Sequence, residues 1–140
     1  MSLKPFHLAV PVSDLRLARK FYGELLGCPE GRSTDEWIDF DFFGHQFVCH
    51  LVATAIKSAA TNSVAGKDVP VPHFGVVLDW AEWERLAEHL SAAGTDFTLA
   101  PGVRFAGLPG EQATMFLADP CGNMLEFKAM RNPGNLFSKQ

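Results

Sequence analysis

Three side chains in this sequence have the type and setting to hold a metal ion: His7, His73 and Glu126. His7 sits in the apolar run Phe6-His7-Leu8-Ala9-Val10, and His73 opens a second run, His73-Phe74-Gly75-Val76-Val77-Leu78. Both runs read as strands, and a helical stripe follows each, so the two imidazoles hold equivalent places in a repeated pattern. If the halves are related by a pseudo-two-fold, their first strands can lie side by side and the imidazoles can converge. Glu126 lies between Leu125 and Phe127 in another strand-like run, where a carboxylate is costly to bury without a partner. A divalent cation is such a partner. Two imidazoles and one carboxylate on rigid strands suit a first-row divalent metal with coordination positions left for substrate.

The elements that must position these groups repeat once along the chain. In the first half, Ser13 or Asp14 can cap a helix with apolar residues at Leu15, Ala18, Phe21 or Tyr22, and Leu25, and Gly27 suits its end. In the second, Asp79 is expected to cap a helix with the stripe Trp80, Trp83, Leu86 or Ala87, and Leu90, closed by Gly94. Each half then continues in short strands, and an Asp-x-x-Gly turn joins the last two, at Asp41 to Gly44 and at Asp119 to Gly122. Weaker strands fit near 29–33 and 96–100. The expected organisation is βαβββ twice within one domain: a first module over about 4–53, a second over about 73–130. Residues 54–72 lack periodicity and read as a loop or linker, and 131–140 as an extended tail.

Composition narrows the function classes. At 140 residues the chain suits one packed domain, and 47% hydrophobic with 20% charged residues is ordinary for a globular protein. A net charge of -4 leaves no basic footprint for nucleic acid. No apolar run approaches the roughly 20 residues of a membrane span, and no secretory signal is recognisable. Cys28, Cys49 and Cys121 are odd in number and widely spaced, which fits free thiols in a reducing cytoplasm better than a disulfide framework or a thiolate zinc site.

The opening His7-Leu8-Ala9-Val10-Pro11-Val12-Ser13-Asp14, with Ala18-Arg19-Lys20-Phe21-Tyr22 and Leu25-Leu26-Gly27, resembles the first module of the glyoxalase, bleomycin-resistance and extradiol-dioxygenase superfamily, the vicinal oxygen chelate proteins. Leu117-Ala118-Asp119-Pro120-Cys121-Gly122-Asn123-Met124-Leu125-Glu126-Phe127 resembles that superfamily's metal-carboxylate strand. The resemblance implies an α+β fold in which paired βαβββ modules form an open, barrel-like mixed sheet around a metal. It implies His7, His73 and Glu126 as ligands. Aligning Gly44 with Gly122 puts Val48 opposite Glu126, so the fourth protein ligand of a glyoxalase-type site has no counterpart. The His, His, Glu set is similar to those of extradiol dioxygenases and fosfomycin-resistance transferases. The stretch from Trp37 to Gln46 looks closest to small predicted extradiol dioxygenases.

That resemblance implies Fe(II) as the metal, with Mn(II), Zn(II) or Ni(II) as alternatives, a small catechol-like or vicinal-oxygen substrate, and a homodimer. It also implies a second-sphere histidine acting as acid or base, and His50 matches by face, two residues past Val48. His45 has the opposite parity, and His89 reads as a solvated helix residue. Ala9 and Gly75 are expected to leave room beside the metal, and Arg104 or Lys128 could anchor an acidic substituent. Against the fosfomycin reading, Ala9 stands where a hydroxyl-bearing residue would be expected. Two rivals remain: a glyoxalase-like isomerase, lyase or metallotransferase on the same scaffold, and a metal-free drug-binding module.

Overall fold

The computed structural model describes residues 3–53, 60–64 and 66–139, and the chain divides into two units. The first comprises residues 1–58 with 119–123, the second residues 59–118 with 124–140.

In the first unit, β1 (His7–Val12) is followed by helix α1 (Leu15–Ala18), which widens into a π-type turn over Arg19–Leu25. The strands β2 (Glu30–Ser33), β3 (Trp37–Phe42) and β4 (His45–Leu51) complete a sheet of order β1-β4-β3-β2, with β1 parallel to β4. Of the two capping candidates, Asp14 takes the role, accepting the N–H groups of Arg16 and Leu17 at 2.8 and 3.1 Å. The helix carries Ala18, Phe21 and Tyr22 into the core, then Leu26 where regular periodicity predicts Leu25. The wider winding explains the shift: Leu26 N–H reaches back five residues to the Phe21 carbonyl at 3.0 Å. Tyr22 packs against Phe47 and Phe40 with ring centroids 4.6 and 5.7 Å apart. The β3–β4 connection is a two-residue turn in which Phe43 and Gly44 both take positive φ (52° and 88°), the geometry a twisted hairpin favours.

In the second unit, β7 (Phe74–Val77), α2 (Trp80–Ala92), β8 (Phe97–Arg104), β9 (Gln112–Ala118) and β10 (Met124–Met130) follow the same grammar, in the order β7-β10-β9-β8. Helix α2 buries Trp83, Ala87 and Leu90, as its stripe predicts, and the Trp83 indole N–H donates to the Phe127 carbonyl at 2.8 Å. The α+β expectation of two βαβββ modules with mixed sheets therefore holds, and each four-stranded sheet is open at both edges.

Two expectations need correction. Within the stretch 54–72, read as loop or linker, residues 60–64 and 67–71 form the antiparallel strands β5 (Ala60–Val64) and β6 (Lys67–Val71). Four of the five β5 residues are exposed, so the hairpin rests on backbone pairing and shows no apolar alternation to read. Residues 54–59 and 65 of that stretch lie outside the described residues. The tail forms a short 3₁₀ turn at Pro133–Asn135, capped by the Asn132 side chain and tied by Asn135 Nδ2 to the Pro109 carbonyl at 2.8 Å. Asn-Pro supplies both the cap and a fixed φ for the first residue of the turn. Among the described residues, no helix is long and apolar enough to cross a membrane.

Candidate functional site

Strand register in the first unit decides what shares a face with His7. His7 pairs with Gln46, Ala9 with Val48 and Pro11 with His50, while Asp39 lies across from Val48 and Trp37 from His50. Partners across a ladder point to the same side, so His7, Gln46, Asp39, Val48 and His50 share one face. Phe40, Phe47 and Cys49 fill the other, against the helix. His7 Nδ1 stands 2.9 Å from Gln46 Oε1, an acceptor, so Nδ1 carries the proton. Gln46 is oriented in turn, its amide nitrogen donating to Asp39 Oδ2 at 3.5 Å. The lone pair of His7 is thereby left on Nε2.

The second unit brings His73 and Glu126 together. His73 Nδ1 lies 2.6 Å from the Pro70 carbonyl on the hairpin, which again assigns the proton to Nδ1. Its Nε2 faces Glu126 Oε1 at 3.2 Å, and Glu126 Oε2 accepts a short hydrogen bond from the Thr114 hydroxyl. In the neutral ring both Nε2 and Oε1 then present lone pairs to each other. A shared cation, either a proton or a metal ion, makes that arrangement favourable. Two donors each about 2.1 Å from one ion and at right angles stand about 3 Å apart, so this spacing fits two adjacent ligands of a first-row metal. Phe116 packs edge-on beside the His73 ring, with centroids 4.9 Å apart, and shields one side of it. Holding the remote nitrogen of each histidine by a neutral acceptor is what fixes a ligand's tautomer and direction.

The register also verifies the internal alignment. Gly75 pairs with Glu126 as Ala9 pairs with Val48, so valine does occupy the place equivalent to the carboxylate. Gly75 itself has a different role from the one expected. A Cβ built there would sit 1.5 Å from the Glu126 carbonyl oxygen, so the missing side chain lets two backbones approach, and leaves no space for substrate.

Among the described residues, no group of three His, Cys, Asp or Glu side chains gathers to hold a metal ion. Of the expected ligands, His73 and Glu126 meet within the second unit and His7 belongs to the first. His50 lies on the His7 face of β4 and borders an opening of about 490 Å³ with Ser13, Glu36, Trp37 and Val52. His45 turns to the opposite side and accepts the Phe6 N–H at 2.8 Å, a structural use. His89 lies on the exposed side of α2. Lys128 shares the Glu126 face by parity, and Arg104 lies over the Phe116 ring at 5.9 Å.

Sequence reasoning missed Gln46, the Pro70 carbonyl and Thr114. Gln46 was within reach, because it lies two residues before Val48 and so has the face parity of His50. The other two depend on the unpredicted hairpin and on the β9–β10 register.

Comparison with known proteins agrees with this architecture. The family model described as the Glyoxalase/Bleomycin resistance protein/Dioxygenase superfamily matches residues 4–127. A solved glyoxalase/bleomycin resistance protein/dioxygenase from Alicyclobacillus acidocaldarius is 33% identical, with 96% of each chain covered and a TM-score of 0.81. The fosfomycin resistance protein FosX from Listeria monocytogenes is 16% identical over 96% of this chain and 98% of its own, with a TM-score of 0.71. A glyoxalase/dioxygenase from Nostoc punctiforme is 17% identical over 92% of each chain, with a TM-score of 0.69. At such identities the last two share the fold alone. No curated protein matches the chain. The matched repeat, the register and the coverage lead to one assignment: the chain belongs to the glyoxalase/bleomycin resistance protein/dioxygenase superfamily.

Proposed function

We propose that the chain is a metal-dependent enzyme acting on a small molecule with two adjacent oxygens, and specifically an extradiol-type dioxygenase acting on a catechol. The observation that carries the reading is the pair His73 Nε2 and Glu126 Oε1, lone pairs facing at 3.2 Å with their remote atoms engaged elsewhere. His7, His73 and Glu126 would hold the ion, Fe(II) for this reaction, from one chain or from two. When bound, ferrous iron supplies Lewis acidity and a route for electrons between diol and dioxygen.

The chain's own residues do the rest. Gln46 and the Pro70 carbonyl keep both imidazoles as Nδ1–H tautomers, and Thr114 turns Glu126 so that Oε1 stays available. Ala9, exposed two residues past His7, leaves space beside it. His50, on the His7 face of β4, takes a proton from a substrate hydroxyl or returns one to the product. A metal-free binding module has no use for two ligand tautomers set in this way.

Purification under anaerobic conditions with Fe(II), then elemental analysis and a catechol panel followed by ring-cleavage absorbance, tests the proposal. One divalent ion per chain is expected in the wild type and no stoichiometric metal in Glu126→Ala. Full occupancy in that variant would overturn the ligand set, and silence of the iron-loaded wild type on every catechol would overturn the dioxygenase reaction. His50→Gln should retain metal and slow turnover by about 10²–10⁴-fold, the usual scale for a positioned proton carrier. Unchanged turnover would make His50 a packing residue.

A further inference from the structure

A cavity of about 490 Å³ opens in the second unit, bounded by β8, the start of β6 and Thr114. Leu99, Pro101, Val103 and Phe105 give it apolar walls in part, and two cations border it: Lys67 from the β5–β6 hairpin and Arg104 from the end of β8. The chain carries a net charge of -4, so two cations at one cavity run against the overall balance. Among the described residues, neither has a carboxylate partner; the ion pairs of the second unit are His73 with Glu126 and Arg131 with Glu111. Arg104 is half-buried and rests over the Phe116 ring, 5.9 Å from its centroid. The same ring packs against His73. Thr114, buried at the inner wall of the cavity, donates its hydroxyl to Glu126. The cavity thus adjoins Glu126 through its lining residue Thr114, and Phe116 has Arg104 and His73 as neighbours.

We propose that this cavity is the subsite for an anionic substituent, a carboxylate on a small aromatic acid, with Arg104 and Lys67 as its anchors. Arginine presents paired N–H donors that match a carboxylate, and at 5.9 Å from the Phe116 centroid the fork is left free to engage one. Lysine at the exposed rim adds a point charge, and the apolar walls suit a ring. Two uncompensated cations beside an apolar lining are what such a ligand neutralises. The inference extends the proposed function by naming the substrate class, and it rests on that reading only for the chemistry at the other end of the molecule.

The subsite is tested first without metal. Benzoate is titrated into chelator-treated protein at low salt and followed by amide chemical shifts. Saturable shifts centred on Gly102, Arg104 and Phe105 are expected, weakening as salt is raised. They should fall below detection in Arg104→Gln with Lys67→Gln. Absence of binding, or binding unchanged in the double variant, overturns the subsite whatever the metal does. The second arm uses metal-loaded protein with 3,4-dihydroxybenzoate and catechol. The acid should bind about 10–100-fold more tightly than catechol, the range for charge-assisted hydrogen bonds, and the variant should erase that advantage. If catechol does not bind while benzoate and 3,4-dihydroxybenzoate bind equally well, the metal-centred reading falls and the anion subsite stands.

Discussion

Gly75→Ala is expected to cost at least about 4 kcal/mol of stability, placing it among the exceptional single substitutions. The added Cβ would lie 1.5 Å from the Glu126 carbonyl oxygen and 2.6 Å from its carbon. Both are backbone atoms, so no rotamer change relieves the overlap, and β7 must move away from β10. Glu126 is the residue displaced, so under the proposed function metal binding should be lost along with stability although none of the proposed ligands has been altered. Urea unfolding measures the first effect, with a midpoint shift of about 2 M for a slope near 2 kcal/mol per M, and elemental analysis the second. Ala9 provides the internal control, because it holds the same register position beside Val48 and already carries a Cβ. Ala9→Gly should therefore cost only about 1 kcal/mol or less, a strand-propensity effect. A wild-type midpoint for Gly75→Ala would show that the two strands are not held at this approach.

Asp119→Ala should destabilise the first unit by about 3–5 kcal/mol, through donors left without an acceptor. Asp119 is 5% exposed. Its Oδ2 accepts from the Tyr22 hydroxyl at 2.7 Å and from Asn123 Nδ2 at 2.8 Å. Its Oδ1 accepts from the N–H groups of Cys121 and Asn123 at 2.8 and 2.9 Å. Asn123 Nδ2 also donates to the Pro11 carbonyl, so one buried carboxylate joins the Asp119–Asn123 turn to the end of β1 and to the helix. Asp119→Asn should lose less, since it keeps the shape and one acceptor.

The same network sets an alkaline limit. Burial first, and then the Asp119 charge, push the Tyr22 phenol well above its ordinary value of 10.0. The unfolded chain therefore releases this proton at lower pH than the folded one. The stability involved is intact below about pH 10 and falls as pH rises beyond it. Cys28 acts in the same direction from its ordinary 9.0, pushed up to about 12 by burial and then by Asp41, and burial raises Cys49 as well. Urea midpoints should be level from pH 7 to about 9 and decline steeply by pH 10.5. A midpoint that rises over that interval would contradict the buried, neutral state of these groups.

Local chemistry made much of this protein readable before folding. Alternation and the 3.6-residue stripe report which side of an element is buried, and they placed β1, β3, β4, β7, β9, β10 and both helices. Parity within a strand depends on no partner, so the shared face of Val48 and His50 and the opposed face of His45 were legible from spacing alone. The two Asp-x-x-Gly turns were legible because a positive φ at Gly44 and Gly122 is a demand made by a single residue.

Features that depend on which backbone lies beside which were hidden. The β5–β6 hairpin is held by backbone pairing with few buried side chains, and hydropathy is blind to such pairing. The π-type widening that exchanges Leu25 for Leu26 is a backbone hydrogen-bond choice, Leu26 N–H to the Phe21 carbonyl, that side-chain periodicity does not encode. Gly75 looked like space for a substrate, and only the β7–β10 register revealed it as a point of backbone contact. The tautomers of His7 and His73 were decided by Gln46 and by the Pro70 carbonyl, one across a parallel ladder and the other on the unforeseen hairpin. Residue type determined which side chains could bind a metal. Tertiary neighbours decided which nitrogen each histidine presents, because a neutral imidazole has one proton and the nearest acceptor takes it.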